Sequence, residues 1–145
     1  MNKCMMIFAS MGILAVAVAA QEAANVDKES LQGAWTYVAR EQGGKRIEAT
    51  EKEKGELVFT GDRFLDWVPD KNEGTFKLDV TKKPKAIKLT GTGKSEGKDA
   101  TFAYELKGNT LRLCQAGAGE FPTEIKSVEG SAQFVLEFKR LRKKP

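Results

Sequence analysis

Histidine is absent from the chain, and cysteine and proline are scarce, with two and four copies among 145 residues. Without histidine the chain cannot build Ser-His-Asp or Cys-His nucleophilic sites, and it cannot build histidine-based zinc sites. Most hydrolase mechanisms thereby lose their usual base. We therefore predict no enzyme activity, no cofactor and no metal site.

The first twenty residues form a separate segment. They have a basic start at Lys3, an apolar run from Met5 to Val18 and small residues as far as Ala20, which together indicate a secretory signal peptide. The run is short for a membrane span, which needs about 20 residues. We predict a signal peptide over 1–20, a secreted or periplasmic product and no integral membrane span after cleavage. An uncleaved anchor is the alternative.

Cysteine becomes scarcer still once this leader is removed, because Cys4 leaves with it and only Cys114 remains. An internal disulfide is then excluded. We interpret Cys114 as a small apolar group in a strand. A reactive thiol or an intermolecular bridge is the alternative, and the oligomeric state stays open.

Charge of one sign does not dominate: 24 basic and 20 acidic residues give a net charge of +4. A basic cluster lies at the C-terminus, without interleaved aromatic residues, so we predict no nucleic-acid partner. We interpret it as a solvated terminus, with contact to an anionic surface as the alternative. The cluster contains Lys139, Arg140, Arg142, Lys143 and Lys144.

No stretch beyond the leader keeps helical periodicity for three turns, although 48–54 could form a short charged helix. We interpret 21–30 as a flexible lead-in that could form one helical turn before Gly33, and 31–145 as one domain. The dominant pattern of that domain is a strict alternation of apolar and polar residues. Trp35 and Tyr37 share one face of the first strand, whereas Arg40 falls on the other with Thr36 and Val38.

Similar short alternating runs recur to the end of the chain, separated by turn signals such as Gly61-Asp62 and Gly108-Asn109. Without crossover helices, such a series favours an all-β fold, an antiparallel up-and-down meander that closes into a barrel of about eight strands. Closure would bring the first and last strands together and place Arg140 near Trp35. Its guanidinium could then cover the indole, although an outward orientation is equally compatible with the alternation.

Gly33 and Trp35, combined with Arg140 on the last strand, resemble the lipocalin superfamily signature. The chain resembles more closely a small lipocalin-like domain that recurs in planctomycete bacteria, usually behind a signal peptide. This resemblance covers nearly the whole chain after the leader and implies a lipocalin-like barrel in which Gly33, Trp35 and Arg140 have structural roles. The stretches that carry it include Leu31-Gln32-Gly33-Ala34-Trp35, Leu57 to Phe64, Gly74 to Asp79, Lys82 to Ile87 and Thr110 to Cys114.

By this resemblance the chain is a binding module for a small hydrophobic ligand, without catalysis. A barrel of eight strands is just wide enough either to fill itself with side chains or to hold one small ligand. The alternative is therefore a self-filled barrel that binds another component of the cell envelope. The candidate ligand-binding residues of the barrel interior are Trp35, Tyr37, Phe76, Phe102 and Tyr104.

Paired carboxylates of the kind used in glycoside hydrolysis are a further option. Asp66, Glu105 and Glu124 could meet in space, but nothing in the sequence distinguishes them from surface charges.

Overall fold

A computed structural model of the protein describes residues 11–67, 70–117 and 119–142. Within these ranges one helix precedes nine strands, and a single 3-10 turn lies at Gly93–Ser95. Residues 1–10, which carry the first half of the predicted leader, lie outside the described residues. The elements are α1 (Met11–Leu31), β1 (Gly33–Gln42), β2 (Lys45–Glu48), β3 (Glu56–Thr60), β4 (Arg63–Asp66), β5 (Asn72–Asp79), β6 (Ala86–Gly91), β7 (Ala100–Lys107), β8 (Thr110–Gln115) and β9 (Phe134–Arg140).

The strands form one antiparallel sheet that closes into a barrel. Strand β1 pairs with β3, each strand from β3 to β8 pairs with the next, and β9 returns to pair with β1 from Trp35 to Gln42. These eight strands confirm the predicted all-β barrel. Strand β2 is additional to these eight. Because β9 pairs along one edge of β1, the other edge is shared: β3 pairs with the N-terminal half of β1 and β2 pairs with its C-terminal half.

The barrel core follows from the alternation of the strands, since every second side chain points to the same side of a sheet. Large apolar residues at these positions become almost fully buried, and each such side chain contributes about 1.5–3 kcal/mol relative to remaining exposed. Phe59 and Phe76 meet edge to face, with ring centroids 4.9 Å apart. The core contains Leu31, Trp35, Tyr37, Leu57, Phe59, Phe64, Phe76, Ile87, Tyr104, Leu111, Leu113 and Phe138.

A β-bulge interrupts the alternation in β1. Tyr37 lies opposite Phe138 and Arg40 lies opposite Leu136, with the register shifting between Tyr37 and Ala39. Because Leu136 and Phe138 share the inner face of β9, Arg40 lies on the same face as Tyr37. The sequence interpretation that placed Arg40 on the opposite face is therefore wrong: a bulge adds one residue to a strand and reverses the face of everything after it.

The segment 21–30, interpreted as a flexible lead-in, is helical and forms part of α1. Leu31, the last residue of α1, is fully buried in the barrel core, and Asp27 bonds to side chains of the barrel. These tertiary contacts stabilise a helix whose sequence shows little amphipathic periodicity. The helix could therefore not be predicted from the pattern of apolar and polar residues. Val16 and Val18, on the N-terminal side of the predicted cleavage region, are exposed.

The short charged helix that the sequence allows at 48–54 is also not formed. Residues 45–48 are strand β2 instead, and a turn follows at 51–53. Glu53 accepts hydrogen bonds from the backbone and the hydroxyl of Thr50, at 2.9 and 3.1 Å, and so stabilises this turn. Four residues of β2 find backbone partners on β1, which a solitary helical turn could not match.

A small second core lies on the outer face of the barrel, beneath the loop that joins β8 to β9. Ala103, Cys114 and Val135 are fully buried there, and Phe121 and Ile125 of the loop pack against them.

Among the helices described, none has both the length and the apolar character needed to cross a membrane.

Candidate functional site

The two ends of the barrel are built differently. At the end that we call the closed end, which contains Leu31, Trp35 and Arg140, α1 lies against the barrel and tight hairpins join β3 to β4 and β7 to β8. The opposite, open end carries the longest connections, residues 49–55, 92–99 and 116–133, together with the two-residue turn between β1 and β2. The closed end also carries the six-residue connection 80–85 between β5 and β6. Long loops at one end of a rigid barrel are where binding sites commonly lie.

The closed end is sealed by Trp35 and Arg140. The guanidinium carbon of Arg140 lies 4.3 Å from the centroid of the Trp35 ring. The sequence left two orientations open for this side chain, over the indole or outward, and the structure has the first. The indole N–H donates to the Leu31 carbonyl at 2.8 Å. Arg140 donates to the carbonyls of Gln32 at 3.1 Å and Ser30 at 2.5 Å, and thereby caps the C-terminus of α1.

A partly buried polar contact also joins α1 to the barrel. The Tyr104 hydroxyl donates to the Asp27 carboxylate at 2.6 Å, and Lys85 donates to the same oxygen at 2.9 Å. Burial, reinforced by the Asp27 carboxylate, raises the pKa of Tyr104 well above its usual value. Tyr104 therefore stays a neutral donor and serves to hold the helix.

An apolar cavity of about 240 Å³, which we call the inner lobe, lies toward the open end. Asp66, Asn72, Lys98 and Asp99 stand among its lining residues. The remaining surface is mainly aliphatic and aromatic, as in pockets that bind apolar ligands. Its apolar lining includes Leu57, Phe64, Leu89, Phe102, Leu113 and Leu136.

A second cavity of about 410 Å³, which we call the mouth lobe, lies between the barrel rim and the segment 52–55. Asp66, Leu136 and Phe138 line both lobes, so the two are neighbours. Tyr37 and Phe138 pack with their ring centroids 5.8 Å apart. Together the lobes form a two-part site, with an apolar inner part and an outer part that carries charge.

The rim of the mouth lobe carries an exposed aromatic ring and charged groups. Trp67 is 48% exposed, and the Lys71 ammonium lies 5.1 Å from its ring centroid. Arg40, Lys52 and Glu53 also line this lobe. Burial raises the pKa of Tyr37, and nearby Arg40 partly offsets this effect. A large exposed aromatic ring beside charged groups suits contact with a ligand that is part apolar and part polar.

The five candidate residues divide between the cavities and the filled part of the barrel. Tyr37 lines the mouth lobe and Phe102 lines the inner lobe. Trp35, Phe76 and Tyr104 are buried side chains of the closed half, in neither lobe. Alternation selects the inner face of a strand but not the height along the barrel, so it could not separate the two groups. Sequence reasoning missed Leu57, Phe64, Leu89, Leu113, Leu136 and Phe138, although all share the inner-face alternation.

The three carboxylates considered for glycoside hydrolysis occupy different parts of the molecule. Asp66 lines the lobes, Glu105 pairs with Lys107 at 2.9 Å, and Glu124 pairs with Lys126 at 3.0 Å. They do not form a pair across a common site. Within the described ranges, no group of three or more Cys, Asp or Glu side chains is arranged to hold a metal ion.

Cys114 is fully buried in the outer core. Its sulfur lies 3.7 Å from the Glu124 carbonyl and 3.9 Å from that of Lys126. Burial raises the pKa of the thiol, so this cysteine is a packing residue in the structure.

The basic C-terminal cluster is only partly within the described residues. Lys139 donates to the Thr110 hydroxyl at 2.6 Å and Arg140 covers Trp35, so these two residues belong to the barrel and not to a solvated end. Arg142 is exposed, and residues 143–145 lie outside the described part of the chain.

Comparison of the chain with protein-family models, with curated proteins and with solved structures finds no match.

Proposed function

We propose that the protein is an exported, lipocalin-like binding module that holds a small apolar molecule at the open end of its barrel. The observation that carries the proposal is the inner lobe: about 240 Å³ lined mainly by apolar side chains, adjoining a mouth lobe at the rim. A self-filled barrel would place side chains in this space. Ligand pockets for small molecules commonly enclose about 300–1,000 Å³, so the lobes suit a small ligand.

The other parts of the proposal come from the sequence. The basic start and apolar run of residues 1–20 support export, and the Gly33, Trp35 and Arg140 pattern supports membership of the small lipocalin-like family of planctomycete bacteria. The proposal includes no catalytic step. Fractionation of cells that produce the full chain, with mass measurement of the product, tests export: a product confined to the cytoplasm with residues 1–20 intact would refute it.

Binding can be tested with Nile red, a neutral dye whose emission shifts to the blue in an apolar site. Ala100 and Thr101 are neighbours on β7: Ala100 lines the inner lobe, whereas Thr101 is exposed on the other face. We expect the wild-type protein to bind the dye, Ala100→Trp to weaken binding at least about tenfold by filling the lobe, and Thr101→Trp to leave it unchanged. Equal binding by all three proteins would place the dye outside the barrel.

The second candidate function is a self-filled barrel that binds another component of the cell envelope. The observation in its favour is the closed half, where Trp35, Phe59, Phe76 and Tyr104 are almost fully buried and leave neither lobe between them. Native mass spectrometry of protein purified from its own host separates the two functions. A recurrent bound small molecule supports the first, and ligand-free protein that copurifies with an envelope component supports the second.

A further inference from the structure

Arg40 is a long cationic side chain that the β-bulge turns toward the inside of the barrel mouth. Without the bulge it would point away from Tyr37, but the register places it opposite Leu136, whose side chain lines both lobes. Bulges are common where a strand re-aims a side chain next to a functional site. Arg40 itself lines the mouth lobe and is exposed to solvent.

Within the described part of the chain, the Arg40 guanidinium makes no hydrogen bond and no ion pair, which sets it apart from Arg46, Arg112 and Arg140. Glu53 lines the same lobe, and its carboxylate is already bonded to Thr50. The pKa of Glu53 is lowered, mainly by those bonds and to a smaller extent by Arg40.

The other charged groups that line the mouth lobe are two cations and two carboxylates, so their formal charges cancel and Arg40 is the excess charge of the lining. Lys52 and Lys54 are the further cations, and Lys54 is paired with Glu51. Asp66 is the second carboxylate besides Glu53; it lies where the two lobes adjoin and is engaged in an interaction of its own. An unpaired guanidinium presents a planar fork of donors that matches a carboxylate or a phosphate.

We propose that the site takes an amphiphile with one short apolar chain and an anionic head, carboxylate or phosphate, which binds Arg40 in the mouth lobe. The chain extends past Leu136 and Phe138 into the inner lobe. This inference rests on the proposed function, because it names the ligand class of the same site. Arg40 then serves as the residue that selects for charge, and the apolar lobe selects for a chain.

The test compares four probes that share a ten-carbon chain: decanoate, decyl phosphate, decanol and decylamine. Displacement of Nile red, checked by titration calorimetry, gives the affinity of each probe for the full chain. We expect both anions to bind at least about tenfold more tightly than decanol, and decylamine to bind most weakly. The ratio of decanoate to decyl phosphate shows which anionic head the mouth prefers.

Arg40→Gln tests the residue, and Arg142→Gln is its matched control. Both substitutions remove one positive charge from an exposed arginine, but Arg142 follows β9 beyond the closed end. We expect Arg40→Gln to weaken the anions about tenfold and leave decanol unchanged, and Arg142→Gln to change neither.

The possible failures are distinguishable. Equal affinities for decanol and the anions, a preference for decylamine, or an equal loss in Arg40→Gln and Arg142→Gln would overturn the anionic head while the proposed function stands. If neither Nile red nor any of the four probes binds, the proposed function fails and this inference fails with it.

Discussion

The guanidinium of Arg140, the last residue of the last strand, covers the indole of Trp35, the third residue of the first strand, with its central carbon 4.3 Å from the ring centroid. The two residues are also directly paired in the register between β1 and β9. The same contact therefore closes the barrel and seals one of its ends. The two side chains also join the first and last strands to α1, because each donates to a carbonyl in or next to the last turn of that helix.

Trp35→Ala should lower the free energy of unfolding by about 3–5 kcal/mol, because it removes a fully buried indole and leaves a cavity. The control is Trp67→Ala at the open end, where the ring is 48% exposed and a loss below about 1 kcal/mol is expected. Denaturant unfolding of the two variants measures both values. Similar losses at the two tryptophans would contradict the burial of Trp35.

Arg140→Lys keeps the charge but loses the planar fork that reaches two carbonyls. We expect it to lower the free energy of unfolding by about 1–2 kcal/mol, because the Ser30 and Gln32 carbonyls lose donors and the indole loses its cover. Arg142→Lys at the exposed neighbouring position should change it by less than about 0.5 kcal/mol. If Arg140→Lys is equally silent, the cap contributes nothing measurable to stability.

The proximity of Trp35 and Arg140 could be predicted from the sequence, because closing a meander joins its first and last strands. The stacking of the guanidinium on the indole could not, because the alternation is equally compatible with an outward Arg140. The inner position of Arg40 could not be predicted, since one bulged residue reverses the face of all those that follow. The helical state of residues 21–31 was missed for another reason. It depends on contacts of Leu31 and Asp27 with distant strands, which local periodicity does not report.

The candidate site could be predicted only in part. Tyr37 and Phe102 reach the lobes, but Trp35, Phe76 and Tyr104 have the same alternation and fill the closed half. Whether an inner-face side chain lines a cavity or packs against other side chains depends on its position along the barrel axis. That position is set by the register between strands, and the sequence of a single strand does not determine it.

Stability at low pH should depend on the ion pair between Arg46 and Glu137, which joins β2 to β9 at 2.7 Å. The Arg46 guanidinium holds the pKa of Glu137 below its usual value of 4.5. Because this pKa is lowered in the folded state, the stabilisation is present above pH 4.5 and is lost as the pH falls through the folded-state value.

Arg46→Gln should therefore lower the free energy of unfolding at pH 7 by about 0.5–1 kcal/mol, a modest value because the Arg46 side chain is 42% exposed. The difference from the wild-type protein should shrink as the pH is lowered toward 3. Denaturant unfolding at both pH values measures it, with Lys45→Gln on the same strand as the control. A difference that does not depend on pH would exclude the ion pair as its cause.

Cys114 should react slowly with thiol reagents in the folded protein, because it is fully buried and burial raises the pKa of its thiol. In a Cys4→Ser background, alkylation by iodoacetamide should be at least about a hundredfold slower than in denaturant, since it must await opening of the loop over Cys114. Intact-mass measurement follows the reaction. Rapid modification under native conditions would mean that this loop leaves the sulfur accessible.

Asp27 should be a polar anchor of α1 on the barrel, beside the arginine cap. Asp27→Ala leaves the Tyr104 hydroxyl without its acceptor and Lys85 without its partner, so we expect a loss of about 1–3 kcal/mol in the free energy of unfolding. Tyr104→Phe removes the donor as well, so the double variant should lose less than the sum of the single losses. Glu29→Ala, on the exposed side of the same helix, is the control and should be nearly silent. Strictly additive losses would show that Asp27 and Tyr104 act independently, so that their hydrogen bond contributes nothing measurable to stability.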